Sequence, residues 1–238
     1  MGKERRSMLI GPEERKMIAY HESGHTIVGK FLSGLDPIHK VTIIPRGMAL
    51  GLTQTLPSED RLTLSKAKAE NMIAFLMGGC IAESLILGQQ TTGASNDIER
   101  ATDIARKMVC EWGMSEAIGP VAVGKKEENI FLGREFHQTR EFSQKTAETI
   151  DNEIRRIITE NYERAKQILQ NKDAILHAMA QALLEREVLN KEEIDLIAEG
   201  KPLPVFVPAP SAHVPVQTTE PDDEKQVAGL APIKTEVA

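Results

Sequence analysis

The sequence predicts a mainly helical α+β domain with one small β element, followed by a disordered C-terminal tail. Three features lead there. Hydrophobic residues make up 41% of the chain but aromatics only 4%, so the core must come from Ile, Leu, Val, Met and Ala, a composition that suits helices packed on helices. Helical spacing of apolar residues recurs over long stretches, whereas β-branched or alternating runs concentrate between residues 41 and 56. From Lys201 onwards, Pro202, Pro204, Pro208, Pro210, Pro215, Pro221 and Pro232 punctuate a segment with no apolar period, which is expected to stay disordered.

Residues 1–11 read as a flexible lead-in, 12–200 as the folded domain and 201–238 as the tail. Pro12 at a first helical position, followed by Glu13 and Glu14, starts the first helix. It is expected to run to about Leu32 and to stop at Ser33-Gly34, where glycine can turn left-handed. Val41–Ile44 reads as a strand ended by Pro45-Arg46-Gly47, and the alternating run Leu50–Leu56 as a second strand paired to it. Two strands alone are marginal, so they must lie on a helix or recruit further strands. Thr63 or Ser65 opens a long second helix that ends near Gly88. On it Leu76, Cys80, Glu83 and Leu87 share a face, and Gly78 and Ala82, one turn apart, would let another backbone come close. Thr91–Ser95 reads as a loop, and Asn96 with Glu99 as a capping box that starts a third helix running to about Trp112. Gly113, Gly119 and Pro120 break the chain, and 119–134 reads as irregular, with a short strand at Val121–Val123. His137–Leu169 is helical in pattern, with Ile150, Ile154, Ile157, Asn161, Ala165 and Ile168 along one seam. After Asn171-Lys172-Asp173 another helix covers Ala174–Glu185, and Asn190 caps a last one that reaches Glu199 and is closed by Gly200.

Composition excludes several classes. A net charge of −6 offers no basic footprint for nucleic acid. No run of about eighteen apolar residues occurs, so no bilayer span is expected. Met1–Gly11 is short and basic, without the apolar core of a secretory signal. Cys80 and Cys110 are the only cysteines and form no C-x-x-C, so they read as small buried residues of a reducing compartment.

The chemistry centres on Tyr20-His21-Glu22-Ser23-Gly24-His25-Thr26, an H-E-x-x-H in the first helix. Residues four apart on a helix share a face, so His21 and His25 can offer two imidazole nitrogens to one metal ion. Glu22 lies about 100° further round, beside the ion, where a carboxylate can take a proton from water. Ile18, His21, His25, Val28 and Leu32 form a single apolar stripe, so both imidazoles are expected to be desolvated. Two buried imidazoles without partners are costly, and a metal would satisfy both.

A catalytic zinc site needs a third protein ligand. A histidine six residues past His25 is excluded, because that position is Phe31. His39, His137, His177 and His213 stand in no suggestive context. Two carboxylates are better placed. Asp97 opens the third helix after a tight glycine-containing loop, although an acid there is also stabilised by the helix dipole alone. Glu83 lies on an otherwise apolar face, as a ligand, a partner to a histidine or half of an ion pair. The residues alone do not rank these three roles of Glu83.

Four stretches in order, Y-H-E-S-G-H-T at 20–26, V-T-I-I-P-R-G at 41–47, G-A-S-N-D-I-E-R-A-T at 93–102 and M-V-C-E-W-G-M-S at 108–115, resemble the peptidase domain of the FtsH family, membrane-anchored AAA+ zinc proteases. The resemblance covers roughly 12–200. It implies a mostly helical zinc-peptidase domain with a small β element near the active site. It implies one Zn2+ held by His21, His25 and Asp97, with Glu22 as general base and Glu83 in a supporting role. It further implies an endopeptidase acting on unfolded cytosolic and membrane polypeptides, a homo-hexamer, and a place at the cytoplasmic face of the inner membrane. The ATPase module and membrane anchor of such a protease are not expected in this chain. Gly119–Lys126 comes close to a phosphate-binding loop but ends in Lys126 where a hydroxyl is needed, so ATP would act only through a motor elsewhere in the parent protein. A catalytically silent assembly module is the alternative, and the intact Glu22, His21 and His25 speak against it.

Overall fold

The computed structural model describes residues 10–46, 49–57, 63–123 and 142–206. The chain divides into two units, Met1–Pro204 and Val205–Ala238, and of the second only Val205 and Phe206 are described, both exposed. The expected lead-in, up to residue 9, and the expected tail, from residue 207, lie outside the described residues.

The first unit is mainly helical with one small sheet, as the composition requires. In order it contains α1 (Pro12–Phe31), β1 (Ile38–Thr42), β2 (Leu52–Thr55), α2 (Lys66–Leu87), α3 (Ser95–Cys110), α4 (Gln144–Asn171), α5 (Asp173–Arg186), β3 (Val188–Asn190) and α6 (Lys191–Ala198). Pro12 begins α1 and Leu32 caps its end, followed by Gly34 at φ 83°, the left-handed turn expected there. Ser65 caps α2 by accepting from the Lys68 N–H, and Gly88 ends it at φ 65°.

Helices α1 and α2 cross backbone to backbone. A Cβ on Gly24 would stand 2.2 Å from the Gly78 carbonyl oxygen and 2.7 Å from the Ala82 Cβ. A Cβ on Gly78 would meet the Gly24 carbonyl oxygen at 2.7 Å. The close approach expected at Gly78 and Ala82 is thus realised, with Gly24 as its counterpart. Because the clash is with backbone that cannot swing aside, Gly24→Ala is expected to destabilise the fold by at least about 2 kcal/mol. A lowered urea midpoint with an unchanged slope would register it, and an unchanged midpoint would contradict this crossing.

Among the described residues, α2 is also long and apolar enough to cross a bilayer by length and composition, which the residue run alone did not suggest. In this fold it is the central helix. Its buried residues include Ile73, Ala74, Met77 and Ile81, which join Ile27, Val28, Met108, Val109, Ile157 and Leu169 in one core.

The sheet has the order β2-β1-β3, antiparallel throughout, with Val41 opposite Thr53 on one side and Leu189 on the other. The expectations need correcting here. The first strand is displaced towards the N-terminus: Ile43 still donates to the Glu187 carbonyl in the β3 register, but Ile44 donates to Thr42 Oγ1 and leaves the ladder. The third strand was not expected, since three residues between two helices are too few to show a period. At the start of α3 no capping box forms. The helix begins at Ser95, with Asn96 inside it, and is entered from a 3₁₀ turn, Thr92–Ala94, whose Gly93 N–H is accepted by Thr91 Oγ1.

Val121–Val123 is not a strand; the Val123 N–H reaches the Cys110 carbonyl in a single tie. Residues 124–134 of the expected irregular stretch, 137–141 of the expected helix and 124–126 of the near-phosphate loop lie outside the described residues. Helix α4, capped by Ser143, buries Ile150, Ile157, Asn161, Ala165 and Leu169, the expected seam with Leu169 in place of Ile168 and with Ile154 only half-buried. Helix α6 starts on the expected cap at Asn190, completed by Glu193.

Candidate metal centre

Helix α1 carries His21, Glu22 and His25 past the glycine crossing, so both imidazoles lie over α2. Beneath them is Gly79, where a Cβ would stand 2.5 Å from His21 Cε1 and 2.6 Å from the Nε2 of each ring. Asp97 arrives from the first turn of α3. The three donors converge: His21 Nε2 and His25 Nε2 are 3.0 Å apart, and Asp97 Oδ2 is 3.3 Å and 3.2 Å from them. An ion about 2.0–2.1 Å from three tetrahedral donors needs donor separations of about 3.3–3.4 Å, close to this triangle. His25 is buried, and His21 and Asp97 are half-buried.

The far side of each ring decides what the near side can do. His25 Nδ1 lies 2.8 Å from the Phe75 carbonyl oxygen. A carbonyl only accepts, so that nitrogen carries the proton. His21 Nδ1 lies 2.6 Å from Glu83 Oε1, and Glu83, which is buried, also accepts the Thr91 N–H at 3.0 Å through Oε2. Burial opposes ionisation of Glu83, but the His21 and Thr91 contacts hold its carboxyl below the usual range. With both Nδ1 atoms protonated, two imidazole lone pairs and a carboxylate oxygen face one another. Such a set of acceptors is stable only around a cation.

Burial lowers the pKa of His21, but the Asp97 and Glu83 carboxylates outweigh it and hold the ring up to about 10. Burial likewise raises Asp97, yet hydrogen bonds and charge from His21 and His25 pull it well below the usual carboxylate range. The donor set therefore fits a divalent ion with nitrogen and oxygen preference, such as zinc.

Glu22 is buried beside the triangle, and Thr53 donates to its Oε2 at 2.6 Å. Burial pushes its carboxyl up, and His25, His21 and Thr53 take back only part of that rise. The other histidines are elsewhere. His39 is exposed, and His177 lies 2.8 Å from the Tyr20 hydroxyl through Nδ1. His137 and His213 lie outside the described residues. Cys80 and Cys110 are both free thiols.

Of the sequence candidates, His21, His25 and Asp97 are thus brought together, Glu22 stands beside them, and Glu83 holds a histidine from behind. Three contributors were missed. The Phe75 carbonyl has no side-chain signal. Gly79 had one: a second glycine next to Gly78 inside an apolar helix, where glycine is costly. Thr53 had a weaker one, a polar residue two along from Gly51 and so on the same strand face.

A model of Peptidase family M41 matches residues 8–197. The chain is 53% identical over 230 residues to the ATP-dependent zinc metalloprotease FtsH of Magnetococcus marinus, covering 94% of this chain and 34% of that protein. It is 54% identical over 227 residues to the protein of the same name from Acidobacterium capsulatum, covering 95% and 35%. Against ATP-dependent zinc metalloprotease FtsH 1 of Bdellovibrio bacteriovorus the identity is 55% over 201 residues, covering 84% and 31%. The chain spans about a third of the length of these curated relatives.

Proposed function

The chain belongs to peptidase family M41, and from that premise we propose that it is the zinc-dependent endopeptidase portion of an ATP-dependent, membrane-anchored protease. The observation that carries the reading is the convergence of two imidazole nitrogens and the Asp97 carboxylate, with a buried carboxylate beside them. His21, His25 and Asp97 hold the ion. When bound, zinc lowers the pKa of its water from about 15.7 towards 7 and polarises the scissile carbonyl. Glu22 takes up the proton that the attacking water loses and hands it to the leaving amine. Its raised pKa suits the uptake step, because a carboxylate whose pKa is pushed up by burial binds the water's proton more readily.

Glu83 and the Phe75 carbonyl each hold a proton on Nδ1 of their ring, which turns Nε2 towards the ion. Strand β2 lies at the edge of the sheet, next to Glu22. An extended substrate adding to that edge would be held by backbone hydrogen bonds with little sequence preference. This suits unfolded cytosolic and membrane polypeptides delivered by an AAA+ motor in the parent protein, which we place as a homo-hexamer at the cytoplasmic face of the inner membrane.

Metal analysis combined with a chelator-sensitive peptidase assay tests the reading: zinc bound and hydrolysis abolished by chelation are expected together. Within it, Asp97→Asn is expected to weaken zinc binding more than Glu83→Gln, whose cost should be about 10–100-fold in affinity. Competition with a zinc indicator ranks the two variants, and the opposite order would move the third ligand to Glu83.

A further inference from the structure

The general base needs more than a place near the metal donors. A glutamate has several rotatable bonds, and which carboxylate oxygen meets the water depends on what holds the other. Gly51 and Thr53, two apart along one strand face, bracket the Glu22 side chain. At one end, a Cβ on Gly51 would come 2.5 Å from Glu22 Oε1 and 2.7 Å from its Cγ, so the carboxylate lies where a side chain is missing. At the other, Thr53 Oγ1 is 2.6 Å from Glu22 Oε2 and 3.3 Å from the Glu22 backbone oxygen. A hydroxyl has one proton to give, and the nearer, charged acceptor takes it. The backbone oxygen is already served by Thr26 Oγ1 at 2.8 Å, which frees Thr53 for the carboxylate. Oε1 accepts no hydrogen bond among the described residues.

We infer that Thr53 is a positioning residue for the general base: its hydroxyl ties down Oε2 of Glu22 and leaves Oε1 as the proton-accepting atom. The inference rests on the metallopeptidase reading and extends it to a residue that touches neither ion nor reacting bond. The plain alternative is that Thr53 serves only as a β-branched strand residue, in which case valine would do as well.

Thr53→Val and Thr53→Ser in the zinc-loaded 238-residue chain, assayed on an unfolded quenched-fluorescence peptide, separate the two. Thr53→Val is expected to lower kcat by roughly tenfold to a hundredfold. KM should stay within about twofold and zinc content unchanged, and Thr53→Ser should recover kcat to within about threefold of the parent. Full kcat in Thr53→Val, a loss confined to KM, or a serine variant no better than valine would each overturn the inference. A parent chain that binds zinc yet cleaves no peptide would count against the peptidase reading instead. A metal-free measurement then still decides the role of Thr53. Thr53→Val should lower Tm by roughly 2–4 °C in the parent and leave it unchanged in the Glu22→Ala background. Equal shifts in both backgrounds would dismiss the contact.

Discussion

Glu22→Gln is expected to remove peptide hydrolysis while leaving zinc in place. The amide has nearly the shape of the carboxylate and can still accept from Thr53, so the pocket between Gly51 and Thr53 stays filled. What it cannot do is take a proton. Loss of the general base should lower kcat by about 10²–10⁴-fold with KM little changed. The metal should survive because the proposed donors are His21, His25 and Asp97, whose contacts do not run through Glu22. Titration with a competing chelator should return the parent affinity to within about threefold. A glutamine variant that keeps its activity would take the base away from Glu22; one that loses its zinc would make Glu22 a metal-site residue.

The second large effect comes from a residue with no side chain. Gly79→Ala puts a methyl group between the Nε2 atoms that define the triangle, 2.6 Å from each. The rings can escape only by turning, and turning breaks the bonds from His21 Nδ1 to Glu83 and from His25 Nδ1 to the Phe75 carbonyl. The helix itself gains, since alanine is favoured over glycine by about 1 kcal/mol in a helix interior. Zinc content should therefore fall close to zero while circular dichroism shows an intact fold. Gly24→Ala should do the reverse, because its obstacle is backbone. An alanine variant at 79 that binds a full equivalent of zinc would mean that the donors meet elsewhere.

Much of this molecule is readable locally because its signals are local. Pro12 with two acids, Ser65 and Asn190 each announce a helix start within a few residues, and His21 and His25 need only one helical turn to meet. Signals that depend on another part of the chain fare worse. Asp97 can be placed at a helix start by inspection, but its arrival at the histidines depends on where α3 docks; the residues alone could not tell a ligand there from an acid held by the helix dipole. Asn96 and Glu99 formed a sound capping pattern that lost to the 3₁₀ turn before it, where Thr91 is held by Glu83. The Phe75 carbonyl illustrates the limit, for a backbone oxygen has the same letter whatever it does.

The sheet also carries a consequence for biosynthesis. Strand β1 finds its partner β3 only near residue 189, and α1 is tied to late segments by Arg15 on Glu187, Tyr20 on His177 and Lys30 on Asp195. Pairings so far apart in sequence close slowly and at an entropic cost. The helix that bears the histidine pair therefore cannot be locked in place until these later segments have been translated.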